Sequence, residues 1–174
     1  MVYSRTKLVI MDYVFGNEME HRHTGINYEG RNPFELYREI ENSFDDIFAV
    51  PAGRVHEVNY NVDNKKDKTG FGAKWMVIKQ MDIYSYLRYD IGLSGEQNND
   101  TKVGKANIKV GVKIYTEYPQ DNIIQQNIFY EMARRIWHDV IYENTRHKFI
   151  LEGRDLTYKF TSHMKACFSK INRA

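Results

Sequence analysis

Asn17–His23, NEMEHRH, places Glu18, Glu20, His21 and His23 within one short run. Carboxylates and imidazoles are ligands for zinc, nickel or iron. On a strand, His21 and His23 point to the same side. A metal site needs a third ligand, and nothing in the sequence identifies one. The run reads equally as a solvated polar arm, and no metal or other cofactor is assigned to the chain. Trp137-His138-Asp139 is a second cluster. Adjacent helical residues point about 100° apart, so the three do not share a face. Trp137 is expected at the edge of an apolar stripe and His138 on the wet side. No G-x-S-x-G motif occurs, and the lone Cys167 lies on an apolar helical stripe, the setting of a buried thiol. Gly70-Phe71-Gly72 precedes a strand, so no helix N-terminus meets a phosphate there. No catalytic residue is assigned.

Lys+Arg exceed Asp+Glu by 25 − 23 = 2. So small a balance neither demands nor excludes an acidic partner. Lys102, Lys105, Lys109 and Lys113 form a row on one strand, and Lys65, Lys66 and Lys68 share a loop. Arg134, Arg135, Arg146, His147 and Lys148 cluster near a helix break, diluted by Glu131, Asp139 and Glu143. These read as a solvated sheet face whose lysines discourage edge pairing, so a nucleic-acid partner is not expected. One cysteine excludes an intramolecular disulfide and a multi-cysteine zinc site. No apolar run approaches 18 residues, so no membrane span is expected. The opening MVYSRTKLVIMDYVF lacks a signal-peptide h-region, which makes a cytoplasmic location the expectation.

The elements that must position any site follow from periodicity. In Val103–Thr116, Ala106, Ile108, Val110, Val112 and Ile114 alternate with Lys105, Asn107, Lys109, Gly111 and Lys113. That is a strand with one apolar face. After Pro119 the period changes: Ile124, Ile128, Met132, Ile136 and Val140 recur every fourth residue, predicting a helix over Asp121–Asn144. Asn144–Gly153 is expected to interrupt it. Leu156, Phe160, Met164, Cys167, Phe168 and Ile171 then resume a helical stripe. Further strands are expected at Thr6–Phe15, Arg54–Val62, Ala73–Gln80 and Asp82–Leu93, with Asn17–Arg31 a loop or hairpin arm. Asn32-Pro33 opens a helix, with Asn32 as cap and Pro33 at its first position; Val50-Pro51-Ala52-Gly53 stops it. At 174 residues the chain fits one domain, and this order predicts the α+β class.

Leu8–Phe15, Pro33–Phe48, the hairpins of Arg54–Leu93, Val103–Thr116 and Asp121–Asn144 follow one another in an order that resembles the START/Bet v 1-like (SRPBCC, helix-grip) superfamily. The resemblance implies a curved antiparallel sheet wrapped around a long C-terminal helix. It covers most of the chain and rests on element order. The Gly-rich loop of the plant members is absent, and Arg154–Ile171 is an added helix. The strand–helix–hinge–helix ending is similar to that of archaeal members.

The expected function is binding rather than catalysis. Leu87, Tyr89, Ile108, Val110, Val112 and Ile114 would face Ile124, Ile128, Met132, Ile136 and Val140 across a cavity for a hydrophobic or aromatic small molecule. The alternative is a protein-interaction or assembly component, cellular or viral, homo-oligomers included, that uses the fold as a scaffold. A cyclase-type enzyme, which the resemblance also admits, would need His56, Glu57, Tyr60 and Arg88 inside the pocket.

Overall fold

A computed structural model of the chain describes residues 6–15, 23–120 and 127–172. It is α+β. Six antiparallel strands form one curved sheet: β1 (Thr6–Tyr13), β2 (His23–Arg31), β3 (Val55–Asn64), β4 (Lys68–Gln80), β5 (Ser85–Asn98) and β6 (Val103–Gln120). Their order is β1-β6-β5-β4-β3, and β2 also pairs with β6. β6 is 18 residues long and serves two partners end to end. β2 takes the half from Val103 to Gly111, and β1 takes Lys113 to Gln120.

The alternation in β5 and β6 sets the core. Leu87 pairs with Ile114, Tyr89 with Val112, Ile91 with Val110 and Leu93 with Ile108. All eight are buried on one face. Each such side chain contributes about 1.5–3 kcal/mol when taken out of water. Two helical layers cover this face. The first is α1 (Leu36–Asp46), which contributes Leu36, Ile40 and Phe44. A 3-10 turn, Pro33–Glu35, precedes it. Asn32 adopts a left-handed conformation with φ 46° and makes no side-chain cap, so the expected capping contact does not form.

The second layer is a single helical run of 44 residues. It consists of α2 (Ile128–Ile136), a π-type segment (Trp137–Tyr142) and α3 (Glu143–Ile171). Asn127 caps α2 by accepting from the Phe129 N–H at 2.9 Å. The break expected at Asn144–Gly153 does not occur: these residues lie within α3, and the irregularity falls earlier, in the π segment. α3 buries Leu156, Phe160 and Met164 in the core. Gly153 allows its close approach. A Cβ at that position would stand 3.3 Å from Leu87 Cδ2 and 3.4 Å from Val14 Cγ1. At its far end Asn172 Oδ1 accepts from the Arg31 N–H at 2.9 Å, over Gly30. A Cβ on Gly30 would lie 1.9 Å from the same oxygen. No helix among the described residues is long and apolar enough to cross a membrane.

The strands exceed the expected bounds because polar ends also pair. β4 begins at Lys68, where Lys68, Thr69 and Gly70 meet Asn98, Gln97 and Glu96.

Candidate functional site

The long helix turns an unexpected side to the sheet. Arg134, His138, Tyr142 and Arg146 are buried, while Ile128, Met132, Ile136 and Val140 are exposed. In a regular α-helix, residues four apart drift by about 40°, and three such steps would carry Arg146 off the face of Arg134. The π segment is wound more loosely, with i→i+5 hydrogen bonding, and cancels the drift. Both every-fourth stripes therefore stay in register, one inward and one outward.

The polar end of the sheet selects the inward stripe. Ser85 and Thr116 face each other across β5 and β6, both fully buried. Buried hydroxyls need partners. Tyr142 Oη donates to Asp82 Oδ2 at 2.7 Å. Its single proton is thereby committed, so Ser85 Oγ donates to Tyr142 at 2.7 Å. Thr116 in turn donates to Ser85 at 2.8 Å, and Arg146 Nε donates to Thr116 at 3.2 Å. The result is a one-way chain of donors from a guanidinium to a carboxylate. Arg146 Nη1 also donates to Asp12 Oδ2 at 2.6 Å. Burial pushes the Tyr142 hydroxyl above the usual phenol range; the bond from Ser85 opposes this and the Asp82 carboxylate adds to it.

Beside this chain, Tyr118 Oη and His138 Nδ1 share a hydrogen bond of 2.7 Å. Burial raises the Tyr118 hydroxyl to about 12, with the Arg146 guanidinium opposing. Trp137 stacks on Tyr142 with ring centroids 4.9 Å apart. Arg134 lies 5.6 Å from the Tyr118 ring and 5.9 Å from that of Tyr130, and its Nη2 pairs with Glu131. Arg134 is 7% exposed, and its Nη1 has no hydrogen-bond partner. A cleft of about 520 Å3 opens over these groups, walled by Ile10, Ile128 and Met132.

Ile128, Phe129, Met132, Ile136, Val140 and Ile141 are 58% to 77% exposed; Ile128 and Met132 form the rim shared with the cleft, and the other four lie outside it. Arg135 and Asp139 flank them and approach to 3.9 Å.

The expected sheet–helix pairing is therefore corrected. Leu87, Tyr89, Ile108, Val110, Val112 and Ile114 are inward and buried, packed in one core with Leu36, Ile40, Phe48, Phe160 and Met164. Ile128, Met132 and Ile136 do not face them, because the polar strand ends claim the other stripe. Ile124 lies outside the described residues. Wet-side placement of His138 is likewise overturned. Glu18, Glu20 and His21 lie outside the described residues, and His23 is exposed at the start of β2. His56, Glu57 and Tyr60 are exposed on the edge strand β3, and Arg88 pairs with Asp90 on the outer sheet face, so no shared pocket forms. Among the described residues, metal-capable donor atoms converge at Glu39, His163 and Cys167.

No family model matches the chain, and no curated protein matches it in sequence.

Proposed function

We propose that this protein is a non-enzymatic assembly module that pairs with a second copy of itself through the outer face of α2 and the π segment. The observation carrying this reading is the exposed stripe from Ile128 to Ile141. Its six apolar side chains are each more than half exposed, and a run of exposed apolar side chains marks an interaction surface. Its charges are self-complementary. Around a two-fold axis, Arg135 of one copy meets Asp139 of the other, as an isologous contact requires. Sedimentation velocity across a concentration series tests it. The expected result is a dimer that Met132→Glu and Ile136→Glu convert to a monomer with unchanged circular dichroism. A wild-type chain that stays monomeric throughout overturns it.

A second reading keeps the small molecule but moves it. The helix-grip layout supports a START/Bet v 1-like ligand carrier whose occupant sits in the cleft over Tyr118 and His138. The unpartnered Arg134 nitrogen favours a lipophile with an acidic group. Titration with a medium-chain fatty acid is expected to shift Trp137 emission, and Arg134→Met to abolish the shift. No change in emission at saturating fatty acid removes this reading.

A further inference from the structure

Glu39 stands on α1, whereas His163 and Cys167 stand one helical turn apart on α3. The i, i+4 spacing puts the imidazole and the thiol on one face. Packing α1 on α3 brings the carboxylate to them. Cys167 Sγ lies 3.3 Å from Glu39 Oε2 and 3.5 Å from His163 Nε2. All three donor atoms fall within 4.8 Å of one another.

We infer that Glu39, His163 and Cys167 form a three-ligand site for a divalent transition metal of the zinc class. Metal–sulfur, metal–nitrogen and metal–oxygen bonds of about 2.3, 2.0 and 2.1 Å around a tetrahedral centre place the donors about 3.3–3.6 Å apart. The two distances from the sulfur, 3.3 and 3.5 Å, match that spacing. The donor set is one thiolate, one imidazole and one carboxylate, which suits zinc better than calcium or magnesium. Cys167 is buried at 1%, while Glu39 and His163 are half-buried, so the centre forms at the edge of the core with solvent on one side. A water can take the fourth position from that side.

Burial pushes the Cys167 thiol up to about 11, with its hydrogen bond to Glu39 acting in the same direction and Lys170 opposing. In the metal-free protein the S–H proton bridges to the carboxylate. Metal entry sends that proton to solvent, and the sulfur and the carboxylate oxygen both turn to the cation. The bound ion then ties α1 to α3. The site lies on a different part of the long helix from the Ile128–Ile141 stripe and does not depend on the assembly reading.

Cobalt(II) titration of the full chain, purified without a histidine tag and treated with chelator, tests the site. Cys167 is the only cysteine, so any thiolate-to-cobalt charge-transfer band reports this sulfur alone. The expected result is a band that saturates at one cobalt per chain and is bleached by zinc. Cys167→Ser is expected to remove it. His163→Ala and Glu39→Gln are each expected to weaken binding at least tenfold with circular dichroism unchanged. Absence of the band in the wild-type chain overturns the site. So does a band that His163→Ala and Glu39→Gln both leave unaltered, which would mean a lone thiolate.

Discussion

Tyr142 reaches Ser85 at 2.7 Å, from the π segment of the long helix to the first residue of β5. This bond joins two elements that the apolar pattern alone would not have docked. It sits mid-way in a chain of donors running from Arg146 to Asp82. Chains of this kind strengthen their members in the low-dielectric interior.

Tyr142→Phe keeps the ring and removes the link. Ser85 then loses its acceptor and Asp82 a donor, both in or near the buried layer. A loss of about 1–3 kcal/mol is expected from leaving a buried donor unsatisfied. Denaturant titration measures it, and a change below about 0.5 kcal/mol would show that water replaces the phenol without cost.

Gly153 brings the helix against Leu87 of the sheet, leaving only 3.3 Å for an added Cβ. Gly153→Leu is expected to destabilise by about 1–3 kcal/mol through overpacking. Gly153→Ala is expected near neutrality, since a tight methyl contact offsets the helix propensity gained, about 1 kcal/mol. Thermal melts of the two variants separate these effects; equal stability of Leu and Ala variants would mean that the helix lifts freely.

Ala49 follows α1 with φ 50°, a conformation that favours glycine, and its N–H bonds to Asp45 O at 3.1 Å. The left-handed region costs a residue with a Cβ about 1–2 kcal/mol. Ala49→Gly is expected to raise stability by about 0.5–1 kcal/mol once the greater freedom of unfolded glycine is subtracted. Denaturant midpoints decide the sign.

Tyr118 and Tyr86 ionise late. Burial lifts both to about 12, and Tyr86 is held further by its bond to Glu117 at 3.0 Å. Their folded values exceed the ordinary 10.0. The stability they contribute is therefore complete below pH 10 and is lost as pH rises from 10 toward 12. Ultraviolet titration of tyrosinate is expected to show two classes among the 13 tyrosines, with the late class coinciding with loss of circular dichroism. A single class near pH 10 in a folded chain contradicts this.

The Cys167 thiol, raised from 9.0 to about 11, behaves likewise. Its contribution is full below pH 9 and declines as pH climbs through 11. At pH 8 a disulfide reagent is expected to modify the folded chain at least tenfold more slowly than the denatured one. Equal rates would place the sulfur at the surface.

Much of this architecture is legible in the residues. The alternation from Ala106 to Ile114 marks the inward face of β6, whereas aromatics on both faces of β5 leave its inward side open until pairing with β6 turns Leu87, Tyr89, Ile91 and Leu93 to the core. The direction of the long helix is not legible. Ile128, Met132, Ile136 and Val140 share one period, and Arg134, His138, Tyr142 and Arg146 share the same period. Hydropathy favours the first set as the inward one. The hydroxyls of Ser85 and Thr116, more than 15 residues upstream, choose the second, and only their pairing across β5 and β6 shows that a polar layer awaits cover there. Glu39 and Cys167 are 128 residues apart, a distance that no local spacing rule spans.

The π segment keeps two incompatible surfaces on one rod. Deleting a single residue between Trp137 and Tyr142 would leave composition and hydropathy almost untouched yet advance everything upstream by about 100°. The oily seam would roll toward the sheet and the guanidinium of Arg134 out to water. Sequence drift in this short stretch is therefore limited by winding number as well as by residue identity.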